Sequence, residues 1–466
     1  GLLADVRAED DVFAFRSSFV LDVIREEFAL IESGPLDSSP RQVVREYHAK
    51  MARSLEQHMG EGSAALYAVA NHYYAAGRSH LPQALTTNLA AARAATRTFA
   101  HEEARDHLER ARQCADILGK TREMAEDFLQ VELHAAHLRN EAQGVQRAAE
   151  AADALLTTRP RVRPETAIAM ARAFYDVLPH VGPAERPRWL DRGLATATAL
   201  AGRDDVPPLV MAEAKQFQGL FLPLDERPQR ERLFREALAL LGDPEPPRDD
   251  PQAAALFARV LDSLAGELWR MADRDWREAE AAYLDSLFIK SRKETWDLPG
   301  QARGCGGLGR LRAYRLDRRD LAAPCFARDL EIAAKIGDLS GQIIMHSELG
   351  LCALDAAGKA ADPARRHELL AGAEESFRAS LELADSDIAR IYARLGLLEA
   401  AAARADMAAG EREGRALAGL LAARPLPRDC QERLTVVVTM LGGAGVTDGR
   451  PDWLDGLAHA LPGATS

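Results

Sequence analysis

The sequence is poor in aromatic side chains, in cysteines and in long apolar runs, and each shortage rules something out. Aromatic residues make up 6% of the 466 residues against 47% hydrophobic in all, and Ala, Leu, Arg and Glu dominate. These are strong helix formers and runs of β-branched residues are scarce, so a β-sheet core is excluded and an all-α class is expected. The five cysteines (Cys114, Cys305, Cys325, Cys352, Cys430) are scattered and odd in number, with no CxxC pair. That pattern suits free thiols in a reducing compartment rather than a disulfide framework. No stretch of about 20 apolar residues is present to span a bilayer, and no charged-then-apolar leader opens the chain. A cytoplasmic protein without a membrane partner is the expectation. Net charge is −12 and the pI near 5.6, so the electrostatic footprint of a nucleic-acid binder is missing as well.

What is present is a repeat. Asp297-Leu298-Pro299-Gly300-Gln301 returns 41 residues later as Asp338-Leu339-Ser340-Gly341-Gln342. Each is followed at the same distance by a Leu-Gly pair, Leu308-Gly309 and Leu349-Gly350, and a third pair is Leu395-Gly396. Self-similarity at a period of roughly 20 to 50 residues marks an array of stacked supersecondary units, each burying its apolar face against its neighbours. Helical periodicity predicts antiparallel hairpins from residue 63 onward, among them helices over 81–99, 102–118, 163–178, 229–241 and 276–290. On the helix over 102–118, Ala104, Leu108, Ala111, Ala115 and Leu118 form one apolar stripe. Phe326 and Phe377 open matching second-helix segments, the second displaced because residues 358–372 lengthen the preceding loop by ten. Proline joints separate several helices, Pro207-Pro208 among them. The stretch 242–251, with its four prolines and its acidic residues, is the preferred boundary between two halves, 61–242 and 252–425. Residues 426–466 read as a capping helix and tail. Val12-Phe13-Ala14-Phe15-Arg16 alternates as a strand does, and helices are expected over 21–31 and 40–59. A strand and two helices without room for a core suggest the tail of a domain that begins upstream.

The motifs that could carry chemistry are incomplete. Gly304-Cys305-Gly306-Gly307-Leu308-Gly309 spells GxGxxG, but a dinucleotide site needs a strand before it, and here a helix start precedes it. The repeat accounts for Gly309 and leaves Gly304 and Gly306 unexplained. No GxxxxGK[ST] is present. The stretches at His101-Glu102 and His367-Glu368 lack the second histidine that a zinc protease needs. His134 and His137 could hold a metal with Glu141, although an unliganded pair is the simpler reading. No GxSxG or activated cysteine is evident. Neither a cofactor nor a metal is expected, and the chain reads as a non-enzyme.

Gly or Ala where two antiparallel helices pass closest, with Leu or Phe opposite, resembles the tetratricopeptide repeat. Gly337-Asp338, Gly341 and Leu349-Gly350 fit its 40-residue variant, clearly over 275–425 and fairly over 64–120. The resemblance implies hairpins stacked in a right-handed superhelix (a solenoid) whose first helices line a concave groove. Transferred by register, the groove-lining candidates are Tyr67, Asn71 and Tyr74, then Arg303, Arg310 and Tyr314, then Ser347 and Arg390. The arginines imply an acidic protein or peptide partner. A second resemblance runs through Phe13-Ala14-Phe15-Arg16, Val23-Ile24-Arg25, the segment Arg45 to Ala52, and Ala70-Asn71-His72-Tyr73-Tyr74. It is similar to the junction between winged helix and repeats in bacterial STAND-type signalling ATPases, regulators like the maltose-operon activator, and related kinases. Residues 1–60 would then be a partial winged-helix-like linker. The chain would be the non-catalytic, repeat-containing sensor of a larger protein whose ATPase or kinase module lies upstream. A receptor that closes around a small molecule or short peptide is the alternative.

Overall fold

In a computed structural model, the described residues are 3–7, 12–15, 39–58, 63–98, 100–139, 141–243, 245, 247, 249–422, 428–443, 454 and 457. They form two compact units, Gly1–Val206 and Pro207–Ser466. Antiparallel helical hairpins build both, as the helical composition leads one to expect.

The first unit begins with strands β1 (Leu3–Arg7) and β2 (Val12–Phe15), paired antiparallel with Leu3 opposite Phe15. The strand expected at Val12–Arg16 is therefore part of a hairpin, whereas the helix expected over 21–31 lies outside the described residues. The α-helices among the described residues are then α1 (Ser39–His58), α2 (Ser63–Ala75), α3 (Leu81–Arg97), α4 (His101–Ile117), α5 (Ala125–Arg139), α6 (Ala142–Thr158), α7 (Pro164–Asp176) and α8 (Arg186–Ala201). Ala84, Ala92, Ala111 and Ala115 are fully buried among Leu85, Leu89, Leu108 and Phe128. Small side chains at these points let backbones approach closely while the larger ones fill the remaining space. Further on, Trp189 stacks on Phe174 with ring centroids 5.7 Å apart, and both are buried.

The second unit holds α9 (Pro208–Phe221), α10 (Arg227–Leu240), α11 (Pro251–Leu268), α12 (Trp276–Lys290), α13 (Leu298–Arg310), α14 (Arg319–Ile336), α15 (Leu339–Lys359), α16 (Pro363–Leu383), α17 (Asp387–Arg404), α18 (Met407–Leu421) and α19 (Arg428–Gly443). Three of its hairpins share one device. A glycine on the first helix leaves room for an aromatic ring on the second: Gly219 for Phe234, Gly309 for Phe326 and Gly350 for Phe377. A Cβ at Gly309 would stand 2.5 Å from Phe326, and one at Gly350 would stand 2.6 Å from Phe377. Phe377 also fills the space left by Gly396 of the next hairpin, so one ring serves two glycines. The Gly219–Phe234 pair carries the repeat back into a region where the sequence shows no register.

The recurring DxxG stretches are helix caps. Asp297 Oδ1 accepts from the amide of Gly300 at 2.9 Å, and Asp338 Oδ1 from that of Gly341 at 2.9 Å. An aspartate at the N-cap satisfies a backbone donor that the first turn leaves free. The third residue after the aspartate is Gly, where a Cβ would collide with the capping carboxylate itself. Before Asp338, α14 ends at Gly337 with φ 72°, the left-handed C-terminal stop that glycine favours.

Two sequence expectations meet a different arrangement. The proline-rich stretch 242–251 lies inside the second unit, joining α10 to α11. Phe234, Leu238 and Leu241 on one side of it share a core with Ala253, Leu256 and Phe257 on the other. The division between units falls instead at the proline joint 207–208. The ten extra residues of the third repeat do not form a loop. They lengthen the facing ends of both helices of that hairpin, α15 and α16 reaching 21 residues each, against 13 plus the 5 of its continuation Leu311–Arg315 for α13 and 18 for α14. Asp362 then caps α16 by accepting from the amide of Ala364 at 3.1 Å, so three residues suffice to turn the chain.

Candidate functional site

In the second unit, the first helices of successive hairpins bring two of the groove candidates together. The last turn of α13 continues as a π-helical turn, Leu311–Arg315, and Tyr314 sits on it, 49% exposed. Such turns put an extra residue into a helix and re-aim its side chains, often where a helix meets a ligand. The Tyr314 hydroxyl donates to Glu348 Oε2 of α15 at 2.6 Å, and Arg310 approaches the other carboxylate oxygen at 3.7 Å. The guanidinium of Arg319 lies over the Tyr314 ring, 5.6 Å from its centroid. Desolvation, reinforced by the Glu348 carboxylate, holds the phenol well above its usual range, so Tyr314 is a lasting donor. Further along, Arg433 of α19 makes a two-pronged ion pair with Glu399 of α17 at 2.7 and 2.8 Å, close enough to Tyr314 to act on it electrostatically. Neither Glu348, Glu399 nor Arg433 is singled out by the sequence.

The other candidates of this unit are placed apart. Ser347 is half-buried and spends its hydroxyl on Ser380 of the facing helix at 2.9 Å. Arg390 pairs with Asp387 one turn earlier at 3.2 Å, near the start of α17. Arg303 is exposed on α13, beside the buried Asp329.

In the first unit the three candidates share one face of α2. Asn71 accepts from Arg110 of α4 through Oδ1, and the Tyr74 hydroxyl donates to Gln113 Oε1 at 2.5 Å. Arg110 also lies 5.6 Å from the Tyr74 ring centroid. One turn earlier Tyr67 faces the imidazole of His107 at 5.3 Å between centroids. Behind it, buried Asn88 bonds His107 Nδ1 at 2.8 Å and donates to the carbonyls of Ala70 and Ala84. Asn88 thereby ties α2 to α3 and fixes the orientation of this face.

The glycine-rich helix is explained by its neighbours. Gly304 makes room for Leu287, Gly306 for the carboxylate of Asp329 and Gly307 for the ring of Tyr283. The GxGxxG spelling therefore arises from helix packing on several sides at once. Gly300 similarly clears space for Lys290, whose buried amine pairs with Asp262 and donates to the Gly300 carbonyl at 3.1 Å. Gln301, the last residue of the recurring stretch, donates to the Lys290 carbonyl at 2.9 Å. This is a structural lock between α12 and α13.

His137 Nδ1 bonds Asp176 Oδ2 at 2.6 Å, while burial pushes His134 down to about 4 with help from His137, Arg172 and Arg97. Among the described residues no group of three or more His, Cys, Asp or Glu is arranged to hold a metal. Burial pushes the thiols of Cys305 and Cys352 up to about 11, which keeps them protonated and unreactive near neutrality. Among the described residues no helix is long and apolar enough to cross a membrane.

No family model and no curated protein matches the sequence. Among solved structures the chain is similar to the apo form of RapI, at 14% identity over 81% of this chain and 97% of that one, with a TM-score of 0.50. It is also similar to a STAND protein with a tetratricopeptide repeat sensor from Pyrococcus horikoshii, at 12% identity over 99% of this chain, with a TM-score of 0.46. It spans 56% of that longer chain. At such identities the likeness is one of fold, and the fold of this chain is an array of stacked tetratricopeptide-type helical hairpins.

Proposed function

We propose that the chain is a non-catalytic helical-repeat scaffold that takes a protein or peptide partner, and that it serves as the sensor region of a larger bacterial signalling ATPase or kinase. The observation that carries the first half is the cluster around Tyr314. An exposed tyrosine is held in one orientation by Glu348 on the neighbouring first helix, with Arg310 and Arg319 against it. Tyrosine and arginine are the residue types that carry most energy at interfaces, and pre-ordering them lowers what binding must cost. The guanidiniums favour an acidic partner. Support for the second half is the N-terminal sequence resemblance to the STAND junction.

The test is affinity capture on the immobilised chain, identification of the retained partner by mass spectrometry, and titration of that partner against variants. Tyr314→Ala or Arg310→Glu is expected to weaken binding by roughly 30-fold, the effect of losing about 2 kcal/mol at a hot spot. Unchanged affinity in both would overturn the reading. A receptor enclosing a small molecule has less support. The hollow of about 420 Å³ lined by Pro228, Glu231, Arg232, Arg235, Glu236, Ala239 and Arg274 is open, and Glu231 already pairs with Arg235 and Arg274.

A further inference from the structure

Two hairpins of the second unit, the ones on either side of α13–α14, lock their two helices at one more equivalent position, three residues beyond the aromatic ring of the second helix. In the hairpin α11–α12 this residue is Ser286, three after Tyr283, and its hydroxyl donates to the Ala258 carbonyl of the first helix at 2.9 Å. In the hairpin α15–α16 it is Ser380, three after Phe377, and its hydroxyl donates to the Ile343 carbonyl at 2.9 Å. The hairpin between them, α13–α14, has Asp329, three after Phe326. Asp329 is 7% exposed. Among the described residues no donor bonds it and no cation pairs with it. By register the carbonyl that corresponds to that of Ile343 is Ala302 of α13, and an ionised carboxylate, which only accepts, cannot donate to a carbonyl as serine does. A protonated carboxyl has an O–H and can donate as serine does.

The space around the group fits the exchange. Opposite Ser380 stands Ser347, three residues before Gly350; opposite Asp329 the same position, three before Gly309, is Gly306. A Cβ at Gly306 would lie 2.5 Å from Asp329 Oδ2 and 3.8 Å from Met345 of α15. The hairpin gave up a side chain on one helix to house a larger acid on the other.

We infer that Asp329 is a proton-operated latch: protonated, it closes the α13–α14 hairpin through the hydrogen bond that serine makes in the hairpins on either side, and ionised, it loosens that hairpin. The charged and titratable groups that face it are Arg303, Cys305 and Arg310 of α13 and Asp338 at the cap of α15, with Arg328 beside it on its own helix. Burial pushes the carboxyl up to about 7 from 3.8, against the pull of Arg310 and with a further push from Asp338. A carboxyl raised in this way stabilises the fold fully below its unfolded value of 3.8 and loses that contribution as the pH climbs through about 7. Stability of this hairpin therefore falls from mildly acid to mildly alkaline pH. Arg303 and Arg310 stand on the helix that the latch releases, so the same proton would alter how firmly these two arginines are held.

The experiment is backbone-amide hydrogen exchange across 298–310 in the full chain, comparing wild type with Asp329→Ser and Asp329→Asn at pH 5 and pH 8. Both substitutions supply a donor at either pH, and all other titrating groups are common to the three proteins. At pH 5 the variants should exchange within about twofold of wild type. At pH 8 wild type should exchange at least about tenfold faster than both, since one unit of pKa shift is worth a factor of about ten. The Asn variant keeps the shape of the acid should the Ser variant fold poorly. A wild-type-to-variant ratio that is the same at both pH values, or variants that exchange faster than wild type at pH 8, would overturn the latch.

Discussion

The two units start their helices differently. In Pro207–Ser466 the helices α11, α12, α13, α15, α16, α17 and α18 begin on Asp250, Asp275, Asp297, Asp338, Asp362, Ser386 and Asp406, and each of these side chains accepts at least one first-turn amide, whereas α9, α10 and α14 start without such a cap. In Gly1–Val206 the helices α3, α4, α6, α7 and α8 begin after His80, Ala100, Glu141, Arg163 and Glu185, and none of these side chains bonds the helix it precedes. The cores differ in the same sense. Three hairpins of the second unit repeat one glycine-and-ring fit, whereas the described core of the first is built on alanine faces, the buried Asn88 and the Trp189–Phe174 stack. A repeat reads clearly in sequence where each copy solves its packing and its helix starts in the same way. Where each joint is solved separately, the helices remain and the register vanishes.

The largest effect that would sharpen this contrast is Phe377→Ala. The ring is fully buried and fits against two glycines, so its loss should cost about 3–5 kcal/mol. Urea unfolding monitored separately in each unit by hydrogen exchange should show the loss in Pro207–Ser466 alone. Equal destabilisation of both units would show that the contrast in packing does not mark independent stability.

Acid should act on the first unit in the direction opposite to the latch. His134 is held neutral by burial, with its pKa lowered from 6.5 to about 4. The unfolded chain takes up its proton first, so the contribution of neutral His134 is present above 6.5 and is lost as the pH falls from there towards 4. His134→Leu should flatten that decline when thermal unfolding is followed between pH 7 and pH 4, and a decline as steep as wild type would remove His134 as its cause.

The smallest effects concern the caps. Asp338→Ala should cost about 1 kcal/mol in the second unit, and Ala100→Ser should stabilise the first by up to about 1 kcal/mol by supplying a cap that α4 lacks. Both are measurable as shifts in urea midpoint at constant slope. If Ala100→Ser gives nothing, the plain helix starts of the first unit are not a reserve of stability.

Most helices could be read from the chain because their apolar stripes and terminal Gly, Asp and Pro residues are local signals. The extension of α15 and α16 was also signalled, since Ala361-Asp362-Pro363 is a cap followed by a helix-start proline. Length alone suggested a loop instead. The unit boundary was less legible, because a proline-rich composition does not tell whether the side chains flanking it share a core, as Phe234 and Phe257 do. Within the site, Tyr314 and Arg310 were found through the register of their own helix, but Glu348, Glu399 and Arg433 lie on other helices. Their meeting depends on how neighbouring hairpins stack. A periodic clue did exist in the first unit. Asn71 and Tyr74 bond Arg110 and Gln113, each 39 residues further on, one repeat length away.

The ring of Phe377 sets a limit on how this array can be rearranged. Because it occupies the clefts of both Gly350 and Gly396, the hairpin α15–α16 is not a removable cassette. Deleting it would part Gly396 from the ring that fills its space and bring α14, with Phe326, before it instead. A cut within the helix pair would part Phe377 from Gly350, so an exchange that respects the fit has to carry both glycines with the ring. The smallest unit that can be moved here is therefore larger than the hairpin that the eye picks out.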